Sequence, residues 1–255
     1  MVTTSWGRIQ WGAWLRWERK KRAYWGYFRE DSRWQRWNAA IQRKRRTVVS
    51  EPEVKKWTGT DNTLFVFDQV SPQNDLFGPF RAHRKMVREG LLDLLTPRMR
   101  AALDTYAAPV IAIHIRRGDF KIGNPITPTQ FFIDAIRLAR ETAGKELPVT
   151  VFTDAAPAEI PDVLNLPGVT LTGDKPDILD ILLMSNSRII VLSQSSTFSY
   201  WGAFLSDAVI IKPEGDWQEN LRPPEINERI FEGKVNFSDA TSVHKLRQGL
   251  LQLRD

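Results

Sequence analysis

Between residues 109 and 212 the chain alternates short apolar runs with amphipathic stretches, and nothing else in the sequence constrains its fold as strongly. Val110-Ile-Ala-Ile-His-Ile115, Val149-Thr-Val-Phe-Thr153, Val169-Thr-Leu171, Arg188-Ile-Ile-Val-Leu-Ser193 and Ala208-Val-Ile-Ile-Lys212 read as strands. Helices are expected from Thr129 to about Gly144, Pro157 to Leu164, Ile178 to Ser187 and Thr197 to Ser206, the first of them started by Thr127-Pro128. The strand runs are apolar on both faces, so both faces must be covered. That is the signature of a parallel sheet with helices on either side. The chain is 42% hydrophobic, enough to fill such a core.

The flanks are less regular. Residues 81–105 read as a helix with apolar positions at Met86, Leu91, Leu92, Leu94, Leu95 and Leu103, interrupted by Pro97. Residues 51–80 read as an irregular connection punctuated by Pro52, Gly59, Pro72, Gly78 and Pro79, with one short strand, Leu64–Asp68. Val243 to Leu253 reads as a closing amphipathic helix. The expected division is an N-terminal region over residues 1–105 and a Rossmann-type domain over 106–255.

Charge follows this division. Residues 1–50 hold thirteen Lys/Arg against three acids, whereas the rest of the chain has a slight acidic excess. Seven of the ten tryptophans also lie there: Trp6, Trp11, Trp14, Trp17, Trp25, Trp34 and Trp37. Trp34, Trp37 and Ile41 have helical spacing, as do Trp14 and Trp17. Such a segment packs on a domain, lies on an anionic membrane surface, or meets phosphate-rich partners by charge and stacking. No stretch of the sequence is long and apolar enough to span a membrane, and the N-terminus lacks a secretory pattern, so a cytoplasmic protein is expected. With no cysteine and three histidines, disulfides, thiolate chemistry and a His-rich metal cluster are excluded.

In an open parallel sheet, ligands bind outside the carboxyl ends of the strands. The polar residues there are His114-Ile-Arg-Arg-Gly-Asp119, Asp154 and Ser193-Gln-Ser-Ser-Thr197. Arg116 and Arg117 offer guanidinium forks suited to a pyrophosphate. Gly118 permits close backbone approach, and Asp119 is placed to hold one arginine. Ser195, Ser196 and Thr197 precede a helix, where hydroxyls and free N–H groups suit a phosphate or merely cap the helix. Asp180 interrupts the apolar helix Ile178-Leu-Asp-Ile-Leu-Leu-Met184 and needs a partner: a guanine edge, a salt bridge, or a cap near the helix start.

Taken together these segments resemble the fucosyltransferase superfamily, and especially the α-1,2-fucosyltransferases. That family carries a strand ending in His-Val-Arg-Arg-Gly-Asp, matched by His114–Asp119, and a later Thr-Asp or Ser-Asp strand end, matched by Thr153-Asp154. Its Asp-x-x-Leu-Met-Ser helix is matched by Asp180–Ser185. Its Ser-Ser/Thr-Phe-Ser-Trp-Trp-Gly-Ala segment is matched by Ser195–Ala203. The resemblance covers about residues 105–215. It implies a GT-B-like α/β enzyme that transfers fucose from GDP-fucose to a sugar hydroxyl, a galactoside in α-1,2 linkage, with inversion and without a metal. It further implies that His114 and Asp180 contact the guanine end and that Arg116, Ser195, Ser196 and Thr197 hold the phosphates. Arg117 is carried over as a donor contact, Gly118 and Asp119 as support, and Asp154 joins Arg116 as a catalytic candidate. The family's opening Gly-Gly-Leu-Gly-Asn-Gln turn is absent here, so the N-terminal, acceptor-side region is read as shortened and atypical. Membrane or lipid-linked acceptor contact through residues 1–50 stays open, and nucleic acid is not an expected partner. The alternative is a nucleotide-sugar-binding protein without catalysis.

Overall fold

The computed structural model describes residues 26–29, 47–54, 56–59, 63–66, 75–117 and 126–254. Gly118, Asp119 and nearly all of the Trp/Arg-rich segment lie outside them. The chain divides into two compact units, residues 1–71 and 72–255. In the first, β1 (Thr47–Ser50) pairs in parallel with β2 (Thr63–Val66), and the short helix α1 (Glu51–Val54) follows β1 directly. The strand expected at Leu64–Asp68 is β2, shifted slightly toward the N-terminus.

The second unit begins with α2 (Gly78–Arg81), α3 (Arg84–Leu94) and α4 (Pro97–Asp104). Pro97 does break the helix, and it does so by opening a new one. Thr96 caps α4 by accepting from the Met99 N–H at 3.4 Å, and Pro97 takes the first helical position, where its missing N–H costs nothing. The sequence grouped these helices with the N-terminal region, but they stay with the sheet. One reason is Arg84 of α3. Its buried guanidinium donates to the carbonyls of Phe204 at 2.6 Å and Leu205 at 3.1 Å, and pairs with Asp207 at 2.7 Å. Those carbonyls end a helix of the sheet unit and have no partner within it.

The sheet has six parallel strands: β3 (Ile111–Ile115), β4 (Val149–Thr153), β5 (Val169–Leu171), β6 (Ile189–Val191), β7 (Val209–Pro213) and β8 (Glu232–Val235). Their spatial order is β5-β4-β3-β6-β7-β8. Counted from β3, this is the 3-2-1-4-5-6 order of a dinucleotide-binding fold. All five residues of β3 are buried. Ile111, Ile113 and Ile115 face a core with Phe132, Ile136 and Leu246. Ala112 faces the other core with Phe152, Met184, Tyr200 and Phe204. Period-two alternation thus supplies two cores from one strand.

Helices α5 (Thr129–Ala143), α6 (Pro161–Leu164), α7 (Asp177–Ser185), α8 (Thr197–Leu205), α9 (Pro224–Asn227) and α10 (Ala240–Leu251) complete the unit. Helix α5 buries Phe132, Ala135, Ile136 and Ala139, an i, i+3, i+4, i+7 stripe. It ends at Gly144, whose φ of 65° is a conformation that glycine adopts without strain. Strand β8 escaped the sequence reading because its inward residue is charged. Glu232 accepts from Lys212 at 3.1 Å and from Arg222 at 3.3 Å, and all three side chains are fully buried. Arg222 also donates to the Ala208 carbonyl at 2.7 Å, so the edge strand is fixed by a satisfied ionic cluster together with Val235, its one core residue. Among the described residues no helix is long and apolar enough to cross a membrane.

Candidate functional site

The chain leaves β3 for β4 and β5 on one side, then returns to place β6 on the other. The two directions part between β3 and β6, and a crevice opens there at the carboxyl ends. The polar groups around it are held in a defined order. Ser193 donates its hydroxyl to the His114 carbonyl at 2.8 Å and accepts from the Arg116 N–H at 2.9 Å. It therefore stitches the end of β3 to the end of β6 just where the strands stop pairing.

The carboxylate of Asp154, at the end of β4, holds the following residues. Its Oδ1 accepts from the Arg117 N–H at 2.8 Å, and its Oδ2 lies 2.7 Å from the Arg116 guanidinium. Asp154 thus spends one oxygen on backbone and the other on a side chain. This catalytic candidate therefore sits between the Arg117 N–H and the Arg116 guanidinium. Arg116 is about a quarter exposed and stands at the crevice.

Arg117 behaves differently from its neighbour. Its buried guanidinium donates to the carbonyls of Arg116 and Thr127, each at 3.0 Å. Thr127 in turn accepts from the Gln194 N–H at 2.8 Å. Arg117 thus braces the two ends of the β3–α5 loop, and Thr127 ties that loop to the one after β6.

His114 is buried, with its ring 5.2 Å from that of Phe198 and its Nδ1 3.4 Å from the Ser196 hydroxyl. Burial and the nearby Arg116 charge pull its pKa down to about 3, so the imidazole is neutral at physiological pH. Ser196 occupies the N-cap position of α8, yet its hydroxyl makes no capping bond. Simple capping therefore does not explain the serines. Thr197 is exposed at the first position of the helix.

Ser195 has φ 57°, the one non-glycine residue with positive φ among those described. A left-handed serine is strained by about 1–2 kcal/mol and persists only where its surroundings over-determine it. Two residues missed by the sequence reading do so. The Ser195 backbone lies beside the hydroxyl of Tyr200, and that hydroxyl donates to Asp216. Tyr200 and Asp216 are both buried. A polar tip in the apolar helix Thr197–Leu205 was the available signal.

Asp180 does have partners. It accepts from Thr172 at 3.3 Å and pairs with Lys175 at 3.2 Å. Burial raises its pKa to about 6, against the opposing pull of Lys175. Beside it a pocket of about 200 Å³ is lined by Tyr106, Phe152, Thr172, Lys175 and Leu183, among others. Lys175 was not singled out from the sequence either. A lysine in the Gly173-Asp-Lys-Pro176 loop reads as a solvated turn residue, and only the fold buries it.

No protein-family model matches the chain, and no curated protein matches it. Solved structures similar to it include NodZ, an α-1,6-fucosyltransferase soaked with GDP-fucose, which is 16% identical with a TM-score of 0.40 and matches 73% of this chain and 63% of its own. The UDP-GlcNAc 2-epimerase of Methanocaldococcus jannaschii, in complex with UDP-GlcNAc and UDP, is 9% identical with a TM-score of 0.41, over 78% of this chain and 50% of its own. The wall teichoic acid polymerase TagF is 14% identical with a TM-score of 0.31, over 99% of this chain and 55% of its own. The chain thus spans between half and just under two thirds of the length of these proteins. With every TM-score below 0.5, the site rests on its own residues: an arginine paired with an aspartate, beside a strained serine loop that opens a helix.

Proposed function

We propose that the chain is a nucleotide-sugar-dependent glycosyltransferase that moves fucose from GDP-fucose to a sugar hydroxyl, with inversion and without a metal. The observation that carries this reading is the Arg116–Asp154 pair at 2.7 Å on the rim of the crevice between β3 and β6. A guanidinium carries its donors in a planar fork, a geometry that matches phosphate oxygens. The opening turn of α8 offers backbone N–H groups with the favourable end of the helix dipole. Its N-cap serine leaves them uncapped by its side chain.

Charge develops on the diphosphate as the glycosidic bond breaks. Arg116 and the Ser195–Thr197 loop stabilise that leaving group, the electrostatic work that a divalent cation does in other transferases. Asp154 is a positioning residue here, and the attacking hydroxyl has no assigned base. His114, kept neutral, and Asp180 lie toward the guanine end. The sheet unit is the nucleotide-binding part, and a galactoside is the acceptor.

Isothermal titration with GDP tests the site, and transfer of labelled fucose from GDP-fucose to a panel of galactosides tests the activity. Micromolar GDP binding with label in a galactoside is the expected result. GDP binding with neither transfer nor hydrolysis favours the second reading, a nucleotide-sugar-binding protein. No GDP binding overturns both.

A further inference from the structure

Resting on that nucleotide reading, we propose that Lys175, and not Asp180 itself, reads the base: its ammonium donates to the O6/N7 edge of a 6-oxopurine that lies against Tyr106. Lys175 lines the pocket, whereas Asp180 does not. The lysine side chain is 4% exposed, and its ammonium sits 5.2 Å from the centre of the Tyr106 ring and 5.9 Å from that of Phe152. Asp180 and Thr172 hold it from behind. Its remaining contact is the carbonyl of Gly173 at 3.2 Å. Gly173 is exposed, so that carbonyl can return to water when a base oxygen takes its place. Pro176, directly after Lys175, fixes the backbone that delivers the side chain.

The pocket runs along the β4–β5 edge of the sheet, and its Lys175 end lies beyond the carboxyl end of β5. Phe152 is the register partner of His114, so the Lys175 ammonium stands one strand away from the crevice wall. From β5 to β6 is three strand spacings, roughly 14 Å, a span that suits an extended nucleoside diphosphate with its phosphates on Arg116. Tyr106, 44% exposed, offers a ring face at the rim, and an aromatic face stacks any base.

Specificity then follows from what an ammonium can do. It has three donors and no acceptor, so it rewards acceptors and rejects donors. Guanine presents O6 and N7, both acceptors, whereas adenine presents an amino donor in place of O6. A buried lysine held only for structural reasons would confer no such preference. A carboxylate reading the base directly would instead require the N1–H and the 2-amino group of guanine. Inosine diphosphate separates these cases, because it keeps O6 and N7 but lacks the 2-amino group.

The experiment is titration of the full chain with GDP, IDP and ADP. Expected in the unaltered protein are similar affinities for GDP and IDP, with ADP weaker by about 10- to 100-fold. Lys175→Met is expected to weaken GDP and IDP about tenfold and to leave ADP nearly unchanged, collapsing the ratio. Tyr106→Ala is expected to weaken all three alike. An IDP affinity tenfold or more below that of GDP overturns the proposal in favour of direct reading by Asp180, and this needs no variant. A GDP/ADP ratio that survives Lys175→Met overturns it as well. Failure of all three nucleotides to bind the unaltered protein is a different result: it removes the nucleotide reading itself.

Discussion

At the β3–β6 end of the crevice the polar groups are fixed largely through backbone. Ser193 bridges two strand ends, Arg117 spends its charge on two carbonyls, and Asp154 divides its oxygens between an N–H and Arg116. At the β4–β5 end the polar groups are fixed by other side chains: Lys175 by Asp180, Thr172 and the rings of Tyr106 and Phe152. Backbone anchoring gives one geometry for an invariant diphosphate. Side-chain anchoring permits exchange of a base without moving the sheet. On the proposed function, the difference would tie the part common to all nucleotide sugars to the fold and the part that distinguishes them to a loop.

The sharpest way to break this contrast is to separate the two arginines. Arg116→Ala removes the charge that faces the leaving group and is expected to lower transfer by about 100- to 1000-fold, with little change in thermal stability. Arg117→Ala does the reverse. It leaves two carbonyls without their buried donor, at a cost of about 1–3 kcal/mol, while the affinity for GDP falls far less. Steady-state kinetics together with thermal unfolding of the two variants decide it. Wild-type rates in the Arg116 variant would sink the phosphate-clamp assignment.

Asp154→Asn tests the aiming of Arg116 with the backbone contact preserved. The amide oxygen still accepts from the Arg117 N–H, but the charge opposite Arg116 is gone. Transfer is expected to drop about tenfold, through kcat more than KM, as for a group that acts in the transition state. If KM alone moves, Asp154 shapes only ground-state binding.

Much of this was legible in the sequence, and what was not has physical causes. Strands β3 to β7 and helices α5, α7 and α8 announced themselves because buried parallel strands must be apolar on both faces and covering helices must be striped. The strand ends drew attention to Arg116, Asp154 and Ser195–Thr197 for the same topological reason. Strand β8 was hidden because burial there is ionic, through Glu232, Lys212 and Arg222, and no hydropathy pattern encodes a neutralised cluster. Lys175 and the Tyr200–Asp216 pair were hidden because their partners lie several residues away and meet only after folding. The sequence already set Arg116 apart as the phosphate clamp with Arg117 as its support, and their contacts differ accordingly: Arg116 pairs with Asp154, while Arg117 donates to two carbonyls.

The two ends also differ in how their stability responds to acid, and the signs are opposite. Asp180 binds its proton more tightly in the fold, at about 6 against an ordinary 3.8. The folded state therefore carries more protons in that window, and stability from this group falls as pH rises from about 4 to about 6, then levels. Burial is the cause, opposed by Lys175 and aided by Asp177. His114 is the converse. Its folded value of about 3 lies below the ordinary 6.5, so its contribution is complete above pH 6.5 and is lost as pH falls toward 3. Urea midpoints between pH 4 and 7 are the measurement. Asp180→Asn minus wild type is expected to rise with pH to about 6, and His114→Gln minus wild type to fall. Parallel difference curves would show that the two ends share one electrostatic environment and would end the comparison on this point.

The smallest expected effect concerns Ser195, where the backbone-anchored end carries strain. Its left-handed φ of 57° costs a non-glycine residue about 1–2 kcal/mol. Glycine removes that cost but makes the unfolded chain more flexible, which returns part of the gain. Ser195→Gly is therefore expected to raise stability by about 0.5–1 kcal/mol, read as a higher midpoint of thermal or urea unfolding. The same change should weaken GDP slightly, because a serine confined beside the Tyr200 hydroxyl keeps its neighbouring N–H groups aimed before the ligand arrives, and a glycine wanders. Higher stability with weaker binding is what a preorganised phosphate loop predicts. Lower stability would mean that the Ser195 side chain itself, and not the Tyr200–Asp216 bracket, holds the turn.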